Sequence, residues 1–317
     1  MLHKSLLSLA LIITLGVAKE DIIVFHAGSL SVPFTQLEKV FEEKYPNYDV
    51  KREPTGSIAC ARKITDLKRP ADVVASADYN VIDDLLIPSH AKFNVQFATN
   101  EMVIAYTPHS KYADEINEKN WPAIFLREGV KIGHSNPNLD PCGYRAVLVT
   151  KLAEKYYKID HFYEKLLGYG RSYKVGEEKK EKVIIRPKET DLLGLLEANG
   201  YDYLFIYKSV AQQHGLKYVS LPQEISLKDN KYASLYKTVS FDIDGEQPGM
   251  LTTQVGEPMV YGITVVQNDK SPANKEGAVK FFNFILSKEG QNIMYQNGQG
   301  VINPSIITGD ASILGKK

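Results

Sequence analysis

Apolar runs of four or five residues alternate with amphipathic stretches in the first third of the chain. Strands are predicted for two of these runs, at residues 22–25 and 71–75, and for the mixed segment 48–52 between them. Apolar side chains at helical spacing follow each of them, at residues 32–41, 58–67 and 82–86. Because strands that alternate with helices in this way pair side by side, the pattern predicts a parallel sheet with helices on its faces.

The same alternation continues through the rest of the chain. Further strands are predicted at residues 101–106, 130–133, 183–187, 203–207, 219–221 and 258–266. Further helices are predicted at residues 121–126, 146–157, 162–167, 189–197, 209–214, 278–286 and 290–295. The charged stretch at 176–182 is predicted to be a solvated loop, and the residues after 295 to form weak turns.

Two of the longer predicted strands, at 101–106 and 258–266, are candidates for chain crossings between two domains. On this interpretation the first domain, lobe 1, consists of residues 19–104 and 260–317. Residues 105–259 form an inserted second domain, lobe 2. Two lobes joined in this way enclose a cleft that can close by a hinge motion.

The N-terminal segment has the pattern of an export signal. A Lys and a His precede an apolar run, Leu6–Leu15, which is too short to span a bilayer comfortably. Small residues follow at Gly16, Val17 and Ala18, as at a cleavage site. We therefore expect residues 1–18 to be a signal peptide and the mature protein to be extracytoplasmic, with an uncleaved signal anchor as the alternative.

The charge balance and the cysteine count exclude several classes of protein. The 317 residues include 38 basic and 38 acidic side chains, so the formal net charge is zero. This balance argues against a nucleic-acid-binding surface, and an anion must be bound by local geometry. Cys60 and Cys142 are too few for a disulfide framework and match no zinc spacing. We expect both to be free thiols, and the sequence indicates no cofactor.

Polar turns of mostly small residues follow four of the predicted strands. They contain Gly28-Ser29, Gly56-Ser57, Asp140-Pro141-Cys142 and Lys188-Glu189. The carboxyl ends of parallel strands lie at one edge of a sheet, so we expect these turns to converge. Free N–H groups and the helix dipole suit such turns to an anion. The alternative is that Asp140 and the two serines are only helix caps, which is a common role for these residues.

Six segments carry a resemblance to a known family. They are FHAGSL at 25–30, EPTGSIACARKI at 53–64, ADVVASAD at 71–78, NPNLDPCGYR at 136–145, RPKETDLL at 186–193 and YLFIYKSVAQQH at 203–214. Together they resemble the archaeal-type tungstate/molybdate-binding proteins of ABC transporters over nearly the whole mature chain. The resemblance implies an α/β fold of the type II periplasmic-binding-protein class, with two parallel-sheet-based lobes joined by two crossover strands. It also implies a receptor, expected to be a monomer, that delivers tungstate or molybdate to a membrane permease.

The resemblance also implies a set of ligand-binding residues. Carried over by position, this set is Gly28, Ser29 and Ser57 from lobe 1, and Asp140, Pro141, Cys142, Glu189 and Tyr207 from lobe 2. In the family, two carboxylates bond directly to the metal of the oxyanion and make it six-coordinate. Here these would be Asp140 and Glu189, since the spacing from Glu189 to Tyr207 fits the family better than that from Glu181 or Glu197.

The two carboxylates matter because they should otherwise repel a dianion. At about 4 Å and an effective dielectric constant of about 20, each like-charge contact would cost about 4 kcal/mol. Three outcomes would avoid this cost: the carboxyls are protonated, they point away from the anion, or they bond directly to its metal centre. The resemblance supports the third outcome, which sulfur and phosphorus do not readily allow because they do not easily accept two further oxygens. Asp140 and Glu189 are therefore expected to reject sulfate and phosphate.

Two other functions are compatible with the same turns. One is a receptor of the same fold for another tetrahedral oxyanion, such as sulfate or phosphate. The other is an enzyme with Cys142 as a thiolate nucleophile and His26 or His134 as its base. No sequence signature places a histidine beside Cys142, so we expect no enzyme. Three nearby basic side chains are expected to be solvated or ion-paired rather than in contact with a ligand: Arg62, Lys63 and Arg145.

Overall fold

The structure is a computed structural model that describes residues 18–245, 247–267 and 275–315. The predicted signal segment lies outside the described residues, except for Ala18. In the described ranges the strands form a six-stranded sheet, a five-stranded sheet and a separate two-stranded hairpin. None of the helices in these ranges is long and apolar enough to cross a membrane.

The strands are distributed over the whole described chain. In chain order they are β1 (Glu20–Ala27), β2 (Tyr48–Thr55), β3 (Val73–Ser76), β4 (Phe93–Thr99), β5 (Met102–Tyr106), β6 (Ile132–Ser135), β7 (Val183–Arg186), β8 (Tyr203–Tyr207), β9 (Lys217–Ser220), β10 (Ser240–Asp244), β11 (Leu251–Val255), β12 (Val260–Val265) and β13 (Gly300–Gly309).

Helices follow most of these strands. In chain order they are α1 (Ser31–Lys44), α2 (Ser57–Thr65), α3 (Tyr79–Leu85), α4 (Trp121–Leu126), α5 (Pro141–Tyr157), α6 (Phe162–Leu166), α7 (Leu193–Glu197), α8 (Lys208–Gln213), α9 (Ala233–Tyr236), α10 (Lys275–Leu286) and α11 (Lys288–Gln296). Short 3-10 turns precede α1, α7 and α9, and a fourth lies near the end of the described chain, at Gly28–Leu30, Glu189–Leu192, Asn230–Tyr232 and Ser312–Leu314.

The first sheet combines strands from the beginning and the end of the chain in the order β13-β4-β12-β3-β1-β2. Strand β1 is parallel to β2 and β3, whereas β12 and β13 run antiparallel to their neighbours. Strand β3 is buried along its whole length, which explains its continuous run of apolar residues. We keep the name lobe 1 for the part of the molecule built around this sheet.

The second sheet, with the order β7-β6-β8-β5-β9, is the centre of lobe 2. Strand β6 is parallel to β7 and β8, and β5 is antiparallel to β8 and β9. Trp121 is fully buried in this lobe and packs edge-on against Phe125, Phe162 and Phe205, with ring centroids 5.1, 5.5 and 5.9 Å away. The chain leaves lobe 1 after β4 and enters lobe 2 at β5, so the two sheets are joined at residues 100–101.

The structure confirms the predicted alternation and corrects it in several places. The end of the chain, predicted as weak turns, instead contains the ten-residue edge strand β13. Strand β4, the hairpin β10–β11 and the short helix α9 were not predicted, and of these strands only β11 alternates regularly between exposed and less exposed positions. The predicted helix 189–197 begins as a 3-10 turn, and only its second half is α-helical.

Candidate functional site

The four polar turns meet at the boundary between the lobes. The N–H of Ala59 in lobe 1 donates to the carbonyl oxygen of Leu139 in lobe 2 over 3.3 Å. A methyl group built on Gly56 would lie 2.2 Å from that carbonyl oxygen. A methyl group built on Gly28 would lie 3.0 Å from both carboxyl oxygens of Glu189. The lobes are therefore closed on each other, and the two glycines allow the close approach.

Asp140 precedes α5 and uses both carboxyl oxygens. Its Oδ1 accepts from the N–H of Cys142 at 3.1 Å, so Asp140 is the helix cap that the sequence allowed as an alternative. Its Oδ2 accepts from the N–H of Glu189 at 2.9 Å. Pro141 fits the first helical position because it has no N–H to satisfy. The Asp140 side chain thus caps α5 and also holds the backbone of Glu189, the second carboxylate of the site, in place.

Glu189 is buried without hydrogen-bonding partners. Its side chain is 1% exposed, and no donor among the described residues lies within bonding distance of either carboxyl oxygen. Burial, and then the neighbouring Asp140 carboxylate, raise the pKa of Glu189 well above its usual value. A buried polar group without a partner is costly, so this carboxyl requires a proton or an electrophilic centre.

The three predicted hydroxyl groups share one hydrogen-bonding arrangement. Ser29 Oγ accepts from the Tyr261 hydroxyl at 3.0 Å, and Ser57 Oγ accepts from the Ala77 N–H at 2.9 Å. The Tyr207 hydroxyl accepts from Arg145 Nη1 at 3.0 Å. The hydrogen bonds between described residues use each of these buried hydroxyls only as an acceptor. Each hydroxyl hydrogen is thus available to donate to a ligand oxygen.

Sequence reasoning did not identify a polar network behind Ser29. Asn100 Nδ2 donates to the hydroxyl of Tyr261 at 3.0 Å and to Ser209 Oγ at 2.8 Å. Gln299 Nε2 donates to the Ser29 carbonyl oxygen at 3.3 Å. Asn100 lies where the chain passes from lobe 1 to lobe 2, and Gln299 lies just before β13. The sequence did contain one indication of this network, Tyr261 in the apolar run PMVYGITVV, because a buried tyrosine hydroxyl needs a hydrogen-bonding partner.

The three basic side chains near the turns have different environments. Lys63 pairs with Glu53 at 2.6 Å, within lobe 1. Arg145 is buried and pairs with Asp78 at 3.0 Å. Arg62 is half-buried and donates to two backbone carbonyl oxygens at the end of β10, at 2.9 and 2.8 Å. Arg62 therefore holds α2 against the β10–β11 hairpin.

The thiolate hypothesis fails on the environment of Cys142. Burial and the nearby Asp140 and Glu189 carboxylates raise the pKa of the Cys142 thiol well above its usual value. Burial lowers the pKa of His26 to about 3 and that of His134 to about 4, so both rings are neutral. His134 bonds to the Ser135 carbonyl oxygen and to Tyr169, and makes no recorded bond to the thiol. Cys142 and Cys60 are both buried free thiols.

Comparison with known proteins gives one family and a consistent fold. The family described as "Bacterial extracellular solute-binding protein" matches residues 22–299. The molybdate/tungstate-binding protein WtpA of Pyrococcus abyssi is 45% identical over 312 residues, which cover 93% of this chain and 88% of that protein.

Two solved structures show the same fold at low sequence identity. The periplasmic molybdate-binding protein of Azotobacter vinelandii superposes with a TM-score of 0.61 at 16% identity, over 89% of this chain and 98% of that one. The sulfate-binding protein SubI of Mycobacterium tuberculosis superposes with a TM-score of 0.60 at 13% identity, over 93% of this chain and 89% of that one. The fold alone therefore does not select the anion.

Proposed function

This chain belongs to the family of bacterial extracellular solute-binding proteins, and from that premise we propose that it captures tungstate or molybdate and delivers it to an ABC transporter. The family consists of transport receptors, and the protein is not an enzyme. The sequence identity to the Pyrococcus protein supports tungstate or molybdate as the ligand. The residues at the lobe boundary support the same assignment independently.

The observation that carries the proposal is the buried Glu189 carboxyl beside Asp140. Sulfate or phosphate in this place would meet two carboxyl groups and gain nothing from them. A tungsten or molybdenum centre instead accepts carboxylate oxygens, so one oxygen each from Asp140 and Glu189 would complete a six-coordinate shell. Such bonding gives the Glu189 oxygens the electrophilic partner that the protein itself does not supply.

The oxygens of the anion would be bound by neutral donors. We assign this role to the hydroxyls of Ser29, Ser57 and Tyr207, whose hydrogens are not used by other described residues. Oriented dipoles in a dry site bind an anion strongly without a full positive charge. The backbone turns would complete the contact surface, at Gly28, Pro141 and Cys142.

The two-lobe organisation gives a route for capture and release. In this proposal residues 1–18 are a signal peptide, residues 19–104 and 260–317 form lobe 1, and residues 105–259 form lobe 2. Hinge opening would admit the anion, and closure would remove it from water. The closed protein, acting as a monomer, would then present a surface from both lobes to the membrane permease.

Calorimetric titration of the purified mature protein tests the proposal. Tungstate and molybdate should each bind with one ion per chain, and sulfate and phosphate should bind far more weakly. A site that takes sulfate or phosphate as tightly as tungstate would overturn the proposal and favour the other class of oxyanion receptor. The comparison of tungstate with sulfate is necessary because the sulfate-binding protein SubI has the same fold.

A further inference from the structure

A second group of buried charges lies beside the candidate site, at the same boundary between the lobes. It consists of Asp78 from lobe 1 and of Tyr144 and Arg145 from lobe 2, and we call it the Arg145 cluster. Arg145 Nη2 lies 3.0 Å from Asp78 Oδ2, and the two side chains are 3% and 4% exposed. The Tyr144 hydroxyl donates to the same carboxyl oxygen.

Arg145 also contacts residues of the candidate site on both lobes. Its Nη1 donates to the Tyr207 hydroxyl at 3.0 Å, within lobe 2. The same nitrogen donates to the Ala77 carbonyl oxygen of lobe 1 at 2.7 Å. The N–H of Ala77 in turn donates to Ser57 Oγ at 2.9 Å. Arg145 is therefore linked directly to Tyr207, a proposed ligand donor of lobe 2, and through Ala77 to Ser57, a proposed ligand donor of lobe 1.

This arrangement depends on closure of the cleft. Asp78 and Ala77 follow β3, whereas Arg145 lies on α5, so separation of the lobes would break the ion pair and the bond to Ala77. In the open protein both charges would return to water. A buried ion pair is costly to form from solvated groups unless its geometry is good and its other hydrogen bonds are made. Here the guanidinium meets an anion, a carbonyl oxygen and a hydroxyl together.

We propose that Arg145 is a positioning residue that couples capture of the oxyanion to closure of the lobes. By donating to the Tyr207 hydroxyl, Arg145 occupies that oxygen and leaves the Tyr207 hydrogen to the ligand. By pairing with Asp78, it holds lobe 1 against lobe 2 once the ligand is bound. The inference rests on the proposed function, because Tyr207 is assigned there as a ligand donor.

The coupling has a kinetic signature. The contacts to Asp78 and Ala77 form only after the anion has entered and the lobes have closed. Their loss should therefore accelerate ligand release and leave association nearly unchanged. Couplings between sites in proteins are typically about 5- to 150-fold. We expect release to become roughly 10- to 100-fold faster when the Arg145 cluster is broken.

Two substitutions test the cluster from its two sides. Asp78→Asn removes the charge that faces Arg145, while an asparagine can still cap α3 as Asp78 does through the Asn80 N–H. Arg145→Lys keeps the positive charge but loses the planar fork that reaches several partners at once. Glu53→Gln is the matched control, because the Glu53 carboxylate pairs with Lys63 and Arg69, which both lie in lobe 1. It should release tungstate at the wild-type rate.

The measurement is the rate of tungstate release from the full mature protein, determined by competition with excess molybdate, together with the bound stoichiometry. Faster release by Asp78→Asn and Arg145→Lys, with full stoichiometry and unchanged association, supports the inference. Release at the wild-type rate by Asp78→Asn overturns it, even if Arg145→Lys does not fold. A purely structural role would lower the melting temperature or the bound fraction without accelerating release, and would also overturn it. If the wild-type protein binds neither anion, the proposed function itself is wrong, and this outcome is distinct.

Discussion

The lobe boundary holds two buried acidic sites that differ in one respect. Asp78 is paired with Arg145, accepts from Tyr144 and caps α3. Glu189 is equally buried, but no hydrogen bond from another described residue reaches its carboxyl oxygens, and the Asp140 carboxylate acts on it from close by. The first site is complete within the protein, and the second is not.

This difference indicates how closure and recognition are divided. A site whose charges are satisfied by the protein can stabilise the closed form whichever anion is present. A site with an unpartnered carboxyl is stable only when its occupant supplies what is missing. Selectivity should therefore reside in Glu189 and Asp140, and retention of the bound anion in the Arg145 cluster. The following changes test this division.

The largest effect is expected for Glu189→Gln. An amide keeps the shape of the side chain but is a poor ligand for a tungsten or molybdenum centre. Loss of an outer-shell partner weakens metal sites by roughly 10- to 100-fold, so loss of a direct ligand should weaken tungstate binding by at least about 100-fold. Titration calorimetry measures this change. Sulfate affinity should stay the same or rise, because a repelling carboxylate has been removed.

Glu197→Gln is the matched control for this change. Glu197 is exposed at the end of α7 and was a competing candidate for the second carboxylate in the sequence. Its substitution should leave tungstate affinity unchanged. If the Glu189 and Glu197 variants behaved alike, the assignment of Glu189 would be wrong.

A smaller but substantial effect is expected for Gly56→Ala. The added methyl group would lie 2.2 Å from the Leu139 carbonyl oxygen in the closed form. Because Leu139 belongs to lobe 2, the clash would arise only when the lobes close. Overpacking typically costs about 1–3 kcal/mol, which corresponds to roughly 5- to 150-fold in affinity. Both tungstate and molybdate should bind more weakly by the same factor, because closure rather than recognition is impaired.

Gly194→Ala provides the control, since no described atom beyond its chain neighbours and its own helix backbone lies within 4 Å of the added methyl group. Small-angle scattering of the ligand-saturated variants reports closure directly. A Gly56→Ala protein that is as compact as the wild type, with unchanged affinity, would contradict the closed geometry.

The pH dependence should distinguish the two acidic sites. Burial, and then the neighbouring Asp140 carboxylate, raise the pKa of Glu189 well above its unfolded value of 4.5, which favours the protonated carboxyl in the ligand-free closed form. This contribution to stability is greatest below about 4.5 and is lost as the pH rises through the folded pKa. Metal bonding requires the deprotonated carboxylate, so tungstate binding should release a proton at any pH below the folded pKa of Glu189.

Calorimetry in buffers with different ionisation enthalpies measures that proton. The wild type should release it on binding, and the Glu189→Gln protein should release none. Equal proton release by the two proteins would show that the proton comes from a group other than Glu189. The proposed difference between the Glu189 site and the Arg145 cluster would then be wrong.

The smallest effect is expected for the cysteines. Burial raises the pKa of Cys60 to about 12 and raises that of Cys142 well above its usual value, so both thiols should be unreactive in the closed protein. Iodoacetamide at neutral pH should leave tungstate binding unchanged, as followed by calorimetry and by mass spectrometry of the labelled protein. A native Cys60–Cys142 crosslink in the mass spectrum would contradict the free thiols.

The sequence predicted the parts of the site that depend on local signals. Gly28 and Gly56 follow the parallel strands β1 and β2 of the first sheet, and Asp140 follows β6, which is parallel to β7 in the second sheet. Parallel pairing therefore brings the turns together at the carboxyl end of each sheet, and the sequence did not show that two separate sheets carry them. The close contact between Gly56 and Leu139 joins residues far apart in the chain and could not be predicted from either segment. The same holds for Arg145, whose partner Asp78 lies on the other lobe.

The missed strands have a related cause. Strand β13 contains Pro304, and its register against β4 shifts between Val301 and Ile306, so its sequence resembles a turn more than a strand. Its pairing with β4 is a tertiary contact, because more than 190 residues separate their closest paired positions. Edge strands of this kind are determined by the sheet they join rather than by their own pattern.

The central claim is that Asp140 and Glu189 bond to the metal of the captured anion. X-ray absorption at the tungsten edge, recorded on the wild-type complex in solution, measures the number of oxygens around the metal directly. The account predicts a six-oxygen shell, with four short bonds from the anion and two longer bonds from the protein. A shell of four equal tungsten–oxygen bonds would contradict it.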